Sequence, residues 1–153
     1  MKARRFKETP RDSASSLHKV VFSLLKEMFP TAVIYQEYPY DKILKSSYNL
    51  YSVPENAYNS YYLSYGKRLR ADFYIKTYRS IIEIQGKQHY EPIRWSKGAD
   101  SWEKAVIRFN AQKRIDHIKK DIANEANCRY IEIDYKNTDK EAVKEIIWRE
   151  IEK

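Results

Sequence analysis

The chain has 153 residues, enough for one domain and too few for two of ordinary size. Lysine and arginine number 29 against 21 aspartates and glutamates, a net charge of +8 that suits an acidic partner, nucleic acid first among them. Cys128 is the only cysteine, which excludes a disulfide framework and a cysteine-based zinc site. The basic start lacks an apolar stretch behind it, and no apolar run approaches about 18 residues, so a soluble cytoplasmic protein without a membrane segment is expected.

In chain order, residues 1–12 read as a flexible basic arm and 13–153 as one domain. Leu17, Val20, Val21, Leu24, Leu25 and Met28 recur at helical spacing, with Pro30 marking the end; His18 falls on the solvent side of that pattern. Residues 32–38 are β-branched and aromatic, a strand stopped by Pro39. Residues 41–66 form a tyrosine-rich excursion that no single period fits, with room for a short helix; its tyrosines either stack on bases or pack onto the domain.

The clearest pattern is a hairpin, residues 70–75 and 80–85, turning through Lys76-Thr77-Tyr78-Arg79. Alternation sends Phe73, Ile75, Ile82 and Ile84 to one face and sets Asp72 across from Glu83 on the other. A long helix follows from about Ser101 to Ala126, with Ile107, Ala111, Ile115, Ile118, Ile122 and Ala126 as its expected buried stripe. Residues 129–135 alternate as a strand, and Thr138 with Glu141 forms a capping box opening a last helix through Ile151. The order α-β-loop-β-β-α-β-α predicts an α/β fold with a mixed central sheet flanked by helices.

Opposed carboxylates repel, and a sheet gains nothing from such a pair. A hard divalent cation removes the conflict, since Mg²⁺ takes one or two carboxylates plus water and a substrate phosphate. Gln85 lies two residues along the same face as Glu83, and Gly86 and His89 follow the strand. Charge is segregated around this segment: residues 1–11 carry +4, 67–87 carry +4 and 94–120 carry +5, while the remainder is negative. Arg68, Arg70 and Lys87, with Lys113, Arg114, Lys119 and Lys120 of the long helix, are the expected phosphate contacts.

The string RADFYIKTYRSIIEIQGKQHY (residues 70–90) resembles the PD-(D/E)XK nuclease superfamily, in particular its very-short-patch-repair-like and phage homing endonuclease branch. QKRIDHIKK (residues 112–120) and RYIEIDY (residues 129–135) are similar to that branch's basic helix and closing strand. The resemblance implies a restriction-endonuclease-like core and a Mg²⁺-dependent endonuclease that hydrolyses DNA, with Mn²⁺ able to substitute and no small-molecule cofactor. Under it Asp72 and Glu83 hold the metal, with Glu37 a further candidate ligand. Gln85 stands where the superfamily usually has lysine, and His89 becomes the expected base or water positioner. The alternatives are a non-catalytic nucleic-acid-binding module on a nuclease fold, favoured by Gln85, or the same chemistry on RNA or branched DNA.

Overall fold

The structure, a computed structural model, describes residues 4–5, 16–50, 60–95, 101–137 and 139–153. The hairpin forms as the alternation requires: β3 (Arg70–Ile75) and β4 (Ser80–Gln85) are antiparallel, with Phe73 opposite Ile82, Tyr74 opposite Ile81 and Ile75 opposite Ser80. A single 3-10 turn, Lys76–Tyr78, joins them, and Arg79 closes it in the left-handed region at φ 48°. β2 (Ile34–Pro39) pairs antiparallel with β3, and β5 (Arg129–Asp134) pairs parallel with β4. A parallel neighbour needs a crossover, which α4 (Trp102–Glu125) supplies. The mixed sheet is ordered β1-β2-β3-β4-β5, β1 being only Arg4–Arg5 on the edge of β2.

Each face of the sheet carries its own core. On one, α1 (Ser16–Met28) and α5 (Lys140–Glu152) bring Val21, Leu24, Leu25, Val143 and Ile147 onto Phe73, Ile75, Ile82 and Ile131. On the other, α2 (Tyr40–Leu50) and α4 bring Tyr40, Ile43, Leu44, Ile118 and Ile122 onto Tyr74 and Ile81, with α3 (Ser60–Gly66) beside them. The protein is thus an α/β sandwich of helices on both faces of a mixed open sheet. Among the described residues no helix is long and apolar enough to cross a membrane.

Several expectations change. The tyrosine-rich excursion contains two helices: α2, which buries Tyr40, Ile43, Leu44, Ser47 and Tyr48, and α3; residues 51–59 between them lie outside the described residues. Of the predicted flexible arm, Arg4 and Arg5 pair with Gln36 and Tyr35, because the outer edge of β2 offers free backbone groups; the rest lies outside the described residues. Thr138 is also outside them, and the cap of α5 is Asp139, whose Oδ1 accepts from the Glu141 amide at 3.2 Å.

His18 is buried rather than solvent-facing. It lies against Phe73, ring centres 4.5 Å apart, with Nε2 3.3 Å from Gln36 Oε1. The helical period left it on the flank of α1, and the sheet covers that flank.

Candidate active site

The β-sheet forks where the two acidic residues stand. The β3–β4 ladder pairs Phe73 with Ile82 and goes no further towards the Arg70 end, while β3 continues to pair with β2 up to Arg70 and β4 with β5 up to Gln85. Asp72 bridges the fork: its Oδ2 accepts from the Ile84 amide at 2.8 Å, replacing a backbone carbonyl. Divergence of two strands leaves polar backbone groups that need partners, and Lys119 of α4 takes one of them, donating from Nζ to the Arg70 carbonyl at 3.3 Å.

Glu83 lies inside this fork, 4% exposed. Its Oε1 accepts from the Tyr40 hydroxyl at 2.6 Å and stands 3.2 Å from Lys119 Nζ. Burial pushes its carboxyl up to about 8; the Lys119 ammonium pulls the other way, and the nearby Asp72 charge adds to the rise. Tyr40 is fully buried, and burial together with Glu83 holds its phenol protonated, so it acts as a donor. Gln85, next on the same face, is buried, and its Oε1 has no hydrogen-bond partner among the described residues. Arg70 also lies at the mouth of the fork, with a buried Nη1 that has no partner among the described residues.

A second cluster lies one helical turn away along α4. Asp116 Oδ2 is 2.8 Å from His89 Nδ1, and Asp116 Oδ1 accepts from Gln112 Nε2 at 2.9 Å. Asp116 and Lys119 are three residues apart, about 4.5 Å of rise on the same side of the helix. His89 belongs to a 3-10 turn, Lys87–His89, that ends β4, and Asp116 fixes its ring from the helix. Orientation through Nδ1 leaves Nε2 for other work.

The rotation of α4 explains the cluster; it buries Ile118, Ile122 and Ala126 as the predicted stripe requires but not the N-terminal part of that stripe. Ile107 is 66% exposed and Ala111 is exposed too, whereas Ala105, Gln112, Asp116, Lys119 and Ala123 face inward to different depths. The first turns of α4 face the segment after β4, through Ala105, Phe109 and Gln112, and Asp116 and Lys119 further along reach His89 and the fork. The expected basic face is divided accordingly. Lys119 enters the fork; Lys120 pairs with Glu132 at 2.7 Å; Lys113 and Arg114 remain exposed. Arg68 is exposed, and Lys87 is paired with Glu91 at 3.0 Å.

Glu37 holds a left-handed φ of 50° on β2, between Gln36 and Tyr38, which pair with Phe73 and Ala71. Among the described residues no three His, Cys, Asp or Glu side chains form a group that could hold a metal. The donor set that is present consists of two carboxylates and the orphaned Gln85 oxygen, all hard oxygens, and it fits Mg²⁺ or Mn²⁺ completed by water and phosphate. Sequence reasoning missed Tyr40 and the inward turn of Lys119. Asp116, at a spacing that suits a pair with Lys119, meets His89 instead. Compared with protein families, with curated proteins and with solved structures, the chain matches none.

The carboxyl of Glu83 makes stability depend on pH in a stated direction. Between its ordinary value of 4.5 and about 8, the folded chain holds a proton there that the unfolded chain has released. Stability contributed by this group therefore falls as pH rises through that window, approaching about 1.4 kcal/mol per pH unit, and levels off above it. Glu83→Gln should remove the dependence: denaturant titrations from pH 5 to 9 should show the variant gaining on the parent as pH rises. A constant difference between the two proteins would mean that Glu83 is ionised throughout.

Proposed function

We propose that the protein is a divalent-metal-dependent endonuclease that hydrolyses DNA phosphodiester bonds on a restriction-endonuclease-like core of the PD-(D/E)XK type. One observation carries the reading: two acidic residues of a β-hairpin, Asp72 and Glu83, occupy the point where the sheet forks, with an ammonium, Lys119, on the second of them. Two carboxyl groups gathered at the cost of burial, one pushed out of the ordinary carboxylate range, favour a functional arrangement over a structural one.

A bound Mg²⁺ or Mn²⁺ supplies polarisation of the scissile phosphate and an acidified water. The residues supply the rest. Asp72, Glu83 and the Gln85 oxygen would hold the cation. Lys119 takes the electrostatic task of the lysine that the hairpin lacks, since its ammonium borders the carboxylates where charge develops on the phosphate. Arg70, with a buried guanidinium nitrogen unpartnered, binds a phosphate oxygen, and exposed Arg68, Lys113 and Arg114 neutralise the flanking backbone. His89, oriented by Asp116, accepts a proton from water through Nε2.

A second reading, a nucleic-acid-binding module without turnover, is favoured by Gln85 in the lysine position. Supercoiled, linear, branched and single-stranded DNA, and RNA, incubated with and without Mg²⁺ or Mn²⁺, separate the two. Metal-dependent scission of DNA is the expected result. Retention of every substrate in uncleaved complexes would leave the binding module, and scission of RNA alone would redirect the chemistry.

A further inference from the structure

Beside the proposed catalytic cluster lies a small cavity of about 180 Å³, between the segment after β4 and the first turns of α4. It is well below the roughly 300–1,000 Å³ of pockets that take drug-sized molecules, so its occupant is a single small ring system. Trp95, Phe109 and Ile93 make apolar walls, while Gln88, Gln112 and Arg108 bring amide and guanidinium groups to it. Glu91 also lines it, which disfavours a bare phosphate. Flat apolar walls with amides at the edge match a planar, uncharged, hydrogen-bonding heterocycle.

Two features connect this cavity to the cluster. Gln112 lines it and also donates to Asp116, which holds His89. Gly86, at the end of β4, makes room for the Gln88 amide: a Cβ there would stand 2.5 Å from Gln88 Oε1. Trp95 is 67% exposed, a large aromatic surface facing solvent beside the site where substrate is expected.

We propose that this cavity receives one unstacked nucleobase of the substrate strand, Trp95 and Phe109 stacking on its ring and Gln88 and Gln112 meeting its edge. The proposal rests on the nucleic-acid reading above and adds to it a preference for nucleotides already unpaired, or extruded from a duplex, next to the scissile phosphate. Extrusion costs a few kcal/mol in a paired strand and least in a single one.

The test uses metal-free protein in which Trp102→Phe and Trp148→Phe leave Trp95 as the sole indole. It is titrated with a short single-stranded oligonucleotide and with an abasic strand of the same length. The base-containing strand should quench Trp95 emission and bind about tenfold tighter than the abasic one, the effect of one lost stacking contact. Trp95→Ala should cancel that difference by weakening only the base-containing strand; the residue's exposure spares the fold.

Equal binding of the two strands, or an equal loss for both in Trp95→Ala, overturns the proposal. Cleavage with Mg²⁺ on the same preparations keeps the two readings apart. Scission without a base-dependent Trp95 signal removes the base pocket alone. A base-dependent signal without scission removes the nuclease alone and keeps the pocket.

Discussion

Asp72→Asn is expected to suppress metal-dependent hydrolysis by about a thousandfold or more, because the change takes away several kcal/mol of transition-state charge stabilisation. The amide keeps the shape of the side chain and can still accept from the Ile84 N–H, so the fork should survive. Metal affinity should fall with the activity, whereas DNA binding without metal should persist or tighten, since one charge repelling phosphate has gone. His89→Ala should separate from it: metal still binds, and the rate drops by roughly 10²–10⁴, the usual loss for a missing general base. Cleavage rates and metal titrations on the same two proteins check the contrast. Asp72→Asn cleaving at the parent rate, with the parent Mg²⁺ dependence, would place the chemistry elsewhere.

Lys119→Met should lower turnover by about 10²–10³, the range found when one preorganised electrostatic donor is removed from a site of this kind. It should also move the pH profile, because the ammonium opposes the rise of the Glu83 carboxyl. Without it the carboxyl ionises at higher pH, metal has to displace a more tightly held proton, and the Mg²⁺ requirement at neutral pH increases. Lys113→Ala and Arg114→Ala provide the comparison. Both side chains are exposed, so their loss should flatten the salt dependence of DNA binding while leaving the pH profile where it was. A Lys119→Met protein with an unshifted profile and a flattened salt slope would return that lysine to the phosphate-gripping role its sequence context suggests.

The hairpin was legible because its information is local. A period of two on each strand and a turn between them determine which residues share a face, and the observed pairs of Phe73 with Ile82 and Tyr74 with Ile81 follow from that alone. The same holds for the ends of α4, where Ser101 caps the helix through the Lys104 amide. The expected stripe of α4 holds at Ile118, Ile122 and Ala126 and fails at Ile107 and Ala111, because the apolar period assumes an apolar surface beneath the whole helix. Polar residues, Gln112, Asp116 and Lys119, turn towards His89 and the forked strands instead, while Ile107 is left exposed.

His18 and Tyr40 show the other source of error. Neither has a spacing that distinguishes it from its neighbours, and each acquires its place from a strand that reaches it through the fold: Gln36 and Phe73 for the histidine, Glu83 for the tyrosine. The amino-acid order by itself determined the hairpin, the first, long and last helices and the concentration of positive charge, all of which depend on residues close in the chain. Tertiary packing decided which cation meets the hairpin's carboxylates. Lys119 lies 36 residues from Glu83, and only the rotation of a crossover helix over a diverging pair of strands brings its ammonium within 3.2 Å of the carboxylate oxygen.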